Sequence, residues 1–355
     1  MQRYEKKFVP LHSNSNFLIF NKKDVTLNFQ KRITKSQATL PIAGAIALAA
    51  WMPPPQPSQL SPLAPLLSTS DYGLWQHLPP FLQQGYWSQA LSFLCASIAV
   101  YLMAELNNKN VLLRESSRIL SSALAFLLTL TVFCHFFQPG MAAMPLLLFS
   151  FFPLFATYQL PSPVLTLSSY LCLSIASLIF PKFVWLIPLY WIIQVLFRAL
   201  TFRCFTASML GIALPYWFYG GIALMTDSTE PFLKHLEAMR DFHWFDYSQL
   251  HLRNTATFFF IVVLFLVGTI DFYIHQFLDK TRVRIIYKSL ILYGIVITII
   301  IVLQPQYLWT FLPLLIVCTA ILFGHFFAFT HTKFSHILCI LLLLLGLGVL
   351  TVQYL

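Results

Sequence analysis

The feature that most limits the fold of this chain is a succession of long apolar runs separated by short polar or proline-containing breaks. The runs lie at residues 87–104, 119–137, 141–158, 164–180, 183–200, 205–225, 254–277, 286–303, 307–328 and 337–354. Each approaches or exceeds the ~20 residues that an α-helix needs to cross a bilayer. Because unpaired backbone groups are costly in lipid, the pattern predicts an all-α, polytopic transmembrane helix bundle.

The composition agrees with this fold class. Only 10% of the residues are charged and 58% are hydrophobic, whereas a soluble domain has about 25% charged residues. A large soluble catalytic domain is therefore excluded. One further apolar run, residues 40–52, is short, and Ala47 with Ala49 forms a pattern typical of signal-peptide cleavage. It is cleaved, re-entrant or a first span. We favour a span, because the segment before it is long for a signal peptide, and this predicts about 11 spans.

The distribution of basic residues predicts the orientation. If the N-terminus is inside, only four of the 22 Lys and Arg residues fall on outer segments: Lys182, Lys234, Arg240 and Arg253. Cytoplasmic segments carry such an excess of basic residues, so the topology predicted is N-in/C-out. Residues 1–36 are then a basic cytoplasmic tail, and residues 37–355 form the bundle with outer loops 53–86 and 226–253. Nucleic acid is not a predicted partner, because no basic patch interleaved with aromatic residues lies beyond the tail.

The second outer loop carries a helical pattern. Pro231 follows an acidic start, and Phe232, Leu236 and Met239 recur at helical spacing with charged residues between them. This spacing predicts an amphipathic helix over residues 231–241. The aromatic residues that follow, Phe242 to Tyr247, are expected to dock into the outer mouth of the bundle, either as one wall of a cavity or as a lid that only seals packing.

Motifs for familiar chemistries are missing. The sequence has no GxxxxGK[ST], GxGxxG, HExxH or GxSxG motif. The six cysteines form no CxxC pair, and the eight-residue spacing of His235, His243 and His251 does not place ligands on one helical face. We therefore predict no metal site and no cofactor.

Acidic and aromatic residues collect on the outer segments. An enzyme hypothesis follows: a lipid-linked glycan transferase or polymerase with an outward-facing site. Its candidate catalytic carboxylates are Asp71, Asp241 and Asp246, with Asp71 favoured by analogy with membrane glycosyltransferases that keep an acid in the first outer loop. The candidate substrate-binding residues are Trp75 and Trp244, which would stack on a sugar, and Arg114 and Arg118, which would hold a phosphate. The plainer interpretation is a hydrated acidic surface, an interfacial aromatic belt and anchoring arginines.

A second hypothesis is a transporter or a non-enzymatic assembly partner. Asp271 and His275 are four residues apart on the same helix face and would form a proton relay or ion site. The alternative is an interfacial pair near Asp279 and Lys280. His135 and His325 are interpreted as hydrogen-bonded packing residues rather than ligands.

The segment from about residue 105 to 225 resembles an uncharacterised family of polytopic bacterial inner-membrane proteins. The resemblance rests on Pro181-Lys182, on the run Arg198 to Arg203, and on Leu210-Gly211 with Pro215-Tyr216-Trp217. It covers about a third of the chain. It implies a multi-pass protein of the bacterial cytoplasmic membrane and no chemistry. The predicted partner is the lipid bilayer, joined by a lipid-linked sugar under the enzyme hypothesis.

Overall fold

The computed structural model describes residues 39–51, 75, 78–79, 82, 85–113, 118–227, 229–242, 252–329, 345–346 and 348. The predictions made for the basic tail, for most of the loop 53–86, for the end of the loop 226–253 and for nearly all of the run 337–354 lie outside these residues.

Every regular element in the described residues is a helix. The α-helices are α1 (Thr39–Trp51), α2 (Gly85–Asn110), α3 (Ile119–Leu130), α4 (Pro139–Ala156), α5 (Pro163–Ile179), α6 (Ile187–Leu196), α7 (Phe202–Met225), α8 (Thr229–Arg240), α9 (Leu252–His275), α10 (Thr281–Leu303) and α11 (Leu308–Phe329). Short 3-10 helices span Val132–His135, Pro181–Leu186, Gln276–Leu278 and Pro305–Tyr307. The predicted all-α class is confirmed.

Six segments of the described chain are long and apolar enough to cross a membrane. They are Gly85–Asn110, Pro139–Ala156, Phe202–Met225, Thr255–Leu278, Thr281–Leu303 and Pro305–Ala328. Four others are apolar but shorter: Leu40–Trp51, Ile119–Leu130, Pro163–Ile179 and Pro181–Leu196. The chain is therefore a multi-pass membrane-type bundle, while the prediction of 11 spans stays a prediction.

Two of the predicted spans are interrupted rather than continuous. The run 119–137 leaves the α-helix at Thr131, whose backbone is extended (φ −100°, ψ 94°), and continues as a 3-10 turn. The run 183–200 begins with the 3-10 turn after Pro181 and holds only the ten-residue α6. Apolar composition alone does not predict these breaks, because it reports burial or lipid contact and not backbone geometry.

Contacts between turns show which helix ends lie together. At one end, called the tryptophan end, Trp51 packs on His135, Phe133 stacks on Trp309 at 3.6 Å and Phe180 contacts Tyr307. These contacts join the end of α1 and the turns before α4, α6 and α11.

The opposite end, called the basic end, is joined by polar contacts. Arg282 donates to Asn110 Oδ1 at 3.3 Å and to the Phe155 carbonyl at 3.5 Å, linking the start of α10 to the ends of α2 and α4. The Gln159 amide donates to the Phe197 carbonyl at 3.0 Å, which links the ends of α4 and α6. The connections at the two ends alternate along the chain, as expected for helices that run up and down.

Helix α11 lies at the centre of the bundle and packs against α3, α4, α9 and α10. Glycines allow two of its close approaches. A Cβ placed on Gly268 of α9 would lie 2.8 Å from Leu322 Cβ, and one placed on Gly140 of α4 would lie 2.3 Å from the Thr310 carbonyl oxygen. Small residues at helix crossings are typical of membrane bundles, where van der Waals packing drives association.

The amphipathic helix predicted over residues 231–241 is present as α8, but its packed face differs from the prediction. Phe232 and Met239 are partly buried as expected, whereas Leu236 is exposed and His235 is completely buried. Helix α8 rests on α7 and on the turn Pro181–Leu186. An apolar stripe does not distinguish protein from lipid contact, and here the protein contact is centred on a polar residue.

Candidate functional site

Four titratable side chains meet at the basic end. His325 Nδ1 lies 3.6 Å from Asp271 Oδ2, and His325 Nε2 lies 3.2 Å from Asp279 Oδ2. His275 Nδ1 lies 3.0 Å from the other oxygen of Asp271. These four residues, Asp271, His275, Asp279 and His325, are called the carboxylate–histidine cluster.

Local geometry explains why these residues converge. Asp271 and His275 are four residues apart on α9 and therefore share a face. The α-helix ends at His275, and the 3-10 turn Gln276–Leu278 is closed by a hydrogen bond from the Asp279 amide to the Gln276 carbonyl at 3.1 Å. This tight turn returns Asp279 towards α11, which carries His325.

The cluster is almost fully removed from the surface. Asp271, Asp279 and His325 are 6%, 7% and 1% exposed. The His275 side chain is 34% exposed and is the accessible edge of the cluster. Buried charges are costly unless they are paired, so the two carboxylates and the imidazole between them stabilise one another.

Aromatic rings form one wall of the cluster. The rings of Phe272 and Tyr287 are stacked on each other at 5.0 Å, and both stand edge-on to His325, at 5.8 and 5.0 Å. This packing holds the imidazole in one orientation. An imidazole with a carboxylate at each nitrogen can accept a proton on one side and release one on the other.

The sequence prediction located half of the cluster. Asp271 and His275 are brought together as predicted, and their role in ion coupling stays a prediction. Asp279 was given no role beyond its position next to that pair, and it is buried. His325 was interpreted as a packing residue, yet it bridges two carboxylates from another part of the chain. The only sequence signal for this role of His325 was a histidine inside an apolar run.

His135 does match its packing interpretation. Its Nε2 lies 3.1 Å from the Thr129 carbonyl oxygen, and its ring packs on Trp51.

The residues predicted for an outward-facing site do not converge in the described part of the chain. Asp71, Arg114, Trp244 and Asp246 lie outside the described residues.

Trp75 is buried against Phe137 at the tryptophan end. Arg118 is exposed immediately before α3, at the basic end. Helix α3 has 12 residues, and at 1.5 Å per residue its two ends are about 18 Å apart. Trp75 and Arg118 therefore do not hold one small headgroup together.

Asp241 is exposed directly after α8, and its backbone carbonyl accepts a hydrogen bond from Lys182 Nζ. Lys182 is itself buried, and its ammonium lies over the rings of Trp185 and Tyr307 at 4.8 and 5.6 Å. Trp185 Nε1 donates to the Met239 carbonyl at 3.1 Å. Lys182 and Trp185 thus satisfy carbonyls at the C-terminal end of α8 and place a cation at the negative end of its dipole. The sequence identified Lys182 as an outer basic residue and as part of the family resemblance, but it did not predict this contact with α8.

His235 anchors the underside of α8. Its ring lies 6.0 Å from Tyr216 and 6.1 Å from Tyr219, both on α7. Burial lowers the pKa of His235 from 6.5 to about 4, and the nearby Ser177 carbonyl opposes this shift only in part. The described groups around the ring carry hydroxyls and no charge at neutral pH, so α8 docks with this histidine neutral.

Acid is therefore expected to loosen α8. The docked state favours neutral His235, so its contribution is complete above the ordinary pKa and falls as the pH drops from about 6.5 towards about 4. The shift corresponds to a loss on the order of 3 kcal/mol in docking free energy. Hydrogen exchange of residues 229–240, corrected for intrinsic rates, should show faster exchange at about pH 4.5 than at about pH 7.

The matched control for this experiment is His235→Leu, which keeps an apolar contact and cannot be protonated. In that variant the exchange of α8 should depend much less on pH. Equal acid sensitivity in both proteins would mean that another group controls the docking of α8.

Comparisons with known protein families, with curated proteins and with solved structures each found no match to this chain. Among the described residues, no group of three or more His, Cys, Asp or Glu side chains has the arrangement needed to hold a metal ion. Among the described residues, the carboxylate–histidine cluster is therefore the candidate site.

Proposed function

We propose that this chain is a proton-coupled membrane transporter in which the carboxylate–histidine cluster binds and releases the coupling proton. The observation that carries the proposal is the position of His325, which lies in a segment long and apolar enough to cross a membrane and is buried between Asp271 and Asp279. Ionisable residues in such segments are costly and are typical of proton and ion pathways.

The protonation state of the cluster controls how strongly separate segments attract one another. Protonated His325 attracts Asp271 on α9 and Asp279 in the turn after it. Neutral His325 no longer attracts these carboxylates across the contact between α11 and α9, and the two carboxylates repel each other in a low-dielectric environment. Loss of the proton therefore favours separation of α9 from α11, and gain of the proton favours their closure.

The accessible edge of the cluster supplies a route for the proton. A proton that reaches the partly exposed His275 imidazole passes to the Asp271 carboxylate and then to His325. Each transfer moves one proton over a contact of 3.0 or 3.6 Å and returns the donor to its starting form. The 3.6 Å contact must shorten to hydrogen-bond length for the second transfer.

Asp271→Asn is expected to abolish proton-driven charge movement while leaving expression normal, because the amide cannot accept and pass on a proton. The measurement is the transient current evoked by a pH step across proteoliposomes adsorbed on a solid-supported membrane. The matched control is Asp227→Asn, the same chemical change in the turn between α7 and α8. Asp227 has a positive φ of 49°, a conformation that asparagine also tolerates. A full-sized current from Asp271→Asn would show that the cluster is a structural tether.

A lipid-linked glycan transferase or polymerase with an outward-facing site is the second candidate. It is favoured by the location of Asp241, Lys182 and Trp185 together at the tryptophan end. Asp71→Asn at normal membrane levels should abolish the function of the gene if Asp71 is catalytic. A non-enzymatic assembly partner is favoured if neither Asp71→Asn nor Asp271→Asn changes the phenotype of a deletion strain.

The orientation and location are part of the same proposal. We place the N-terminus and the basic end in the cytoplasm and the C-terminus outside, in the bacterial cytoplasmic membrane. Described basic residues near the basic end support this orientation: Lys109, Arg118, Arg198, Arg203, Lys280, Arg282, Arg284 and Lys288. The positive-inside rule assigns such an end to the cytoplasm. Membership of the family of polytopic inner-membrane proteins that the segment 105–225 resembles is part of this proposal.

Reporter fusions test the orientation directly. A fusion after Asn108 should report a cytoplasmic location, and a fusion after Asp241 should report an extracytoplasmic one. Asn108 lies in the last turn of α2 and Asp241 directly follows α8, at opposite ends of the bundle. Alkaline phosphatase and green fluorescent protein at each position give reciprocal signals. An outside signal after Asn108, or a cytoplasmic signal after Asp241, contradicts the N-in/C-out topology.

A further inference from the structure

A second group of buried polar side chains lies about half-way along the bundle. Tyr170 of α5, Tyr190 of α6 and Tyr293 of α10 pack ring against ring, with centroid distances of 5.7 and 6.2 Å. Ser150 of α4 and Gln194 of α6 complete the group. These five residues, called the tyrosine core, are all buried and none belongs to the carboxylate–histidine cluster.

Some of the polar atoms of the tyrosine core are paired within the protein. The hydroxyls of Ser150 and Tyr190 share a hydrogen bond of 2.5 Å. Gln194 Nε2 donates to Thr166 Oγ1 at 3.2 Å. These bonds show that the polar atoms of α4, α5 and α6 point towards one another rather than towards lipid.

Three further atoms of the tyrosine core have no protein partner with hydrogen-bond geometry. They are the hydroxyls of Tyr170 and Tyr293 and the side-chain oxygen of Gln194. The Tyr293 hydroxyl lies beside Tyr190 without reaching that geometry. Buried polar atoms are almost always paired, and those that lack a protein partner usually bind ordered water.

We infer that the tyrosine core is a binding site for ordered water near the middle of the bundle. The three atoms comprise two hydroxyls, which donate and accept, and one amide oxygen, which accepts. Water matches this set because it donates two hydrogen bonds and accepts two. The five side chains carry no formal charge at neutral pH, so an ion would not be neutralised by them. This water site does not depend on proton coupling at the carboxylate–histidine cluster.

Radiolytic footprinting in ¹⁸O-labelled water tests the site in the wild-type protein. Hydroxyl radicals formed from a bound water oxidise adjacent side chains even when bulk solvent does not reach them. Tyr170 and Tyr293 should take up ¹⁸O faster than the equally buried rings of Phe183 and Phe311, with each rate normalised to the unfolded protein. If the tyrosines are modified no faster than these phenylalanines, the core is dry and the inference is wrong.

Tyr170→Phe provides a second, independent measurement. If the Tyr170 hydroxyl binds water, its removal should reduce ¹⁸O uptake at Tyr293 and lower the thermal unfolding temperature. If the hydroxyl is simply unpaired in a dry core, the phenylalanine removes a buried polar atom and the unfolding temperature should stay the same or rise. A rise together with unchanged labelling at Tyr293 would overturn the water site.

Discussion

Replacing His325 by leucine is expected to destabilise the protein by about 3–5 kcal/mol, the range found when one partner of a buried charged network is removed. Leucine fills a similar space, so the loss reflects electrostatics more than packing. Without the imidazole, Asp271 and Asp279 face each other in a buried site that had been bridged at 3.6 and 3.2 Å. Unfolding in detergent, followed by intrinsic fluorescence, measures the loss.

The pH dependence of this loss distinguishes electrostatics from packing. Acid protonates the carboxylates that His325 leaves behind, so the destabilisation of His325→Leu should shrink as the pH falls. His135→Leu is the control, because His135 is equally buried but contacts a backbone carbonyl and Trp51 instead of carboxylates. Its loss should be about 0.5–1.5 kcal/mol, as for an ordinary hydrogen bond. A pH-independent loss of equal size in both variants would contradict a charged network at His325.

The sequence predicted the site only as far as its contacts are local. Asp271 and His275 were found because a spacing of four residues places two side chains on one helix face. His325 lies 46 residues from Asp279, and no local pattern reports that α11 returns to the turn after α9. Asp279 was missed for a similar reason, because the tight turn that directs it inwards depends on backbone geometry.

The fold was also predictable only in part: the sequence predicted the positions of the helices but not all of their breaks and buried faces. Apolar runs located the helices, since burial in protein and contact with lipid select the same side chains. They did not locate the break at Thr131 or the buried face of α8, where His235 takes the place expected for leucine. Both features are set by neighbouring segments, which a single apolar stripe does not identify.

The outward-facing site shows how shared chemistry can mislead. Trp75 and Arg118 were grouped because a ring and a guanidinium suit a sugar phosphate, yet they lie at opposite ends of α3. The residue types were compatible with one ligand, but their positions are not. Distance therefore argues against a single small ligand held by both Trp75 and Arg118.

Gly268→Ala is expected to abolish the proton-driven currents although every residue of the cluster is retained. The added Cβ would lie 2.8 Å from Leu322 Cβ and 2.9 Å from the Leu322 carbonyl carbon. Because backbone atoms cannot rotate away, α9 and α11 must separate, and overpacking of this kind costs about 1–3 kcal/mol. Asp271 and His325 follow this contact by three residues on each helix, so their 3.6 Å separation increases with it.

Gly221→Ala separates this effect from the general consequences of adding a methyl group to a membrane helix. Nothing lies within 4 Å of a Cβ at Gly221 on α7, and alanine favours helix over glycine by about 0.8–1.0 kcal/mol. That variant should therefore keep its currents and its stability. If Gly268→Ala also gives a full-sized transient current after a pH step, the spacing of α9 and α11 does not control proton transfer. The cluster would then have to work by exchange with solvent through His275 alone.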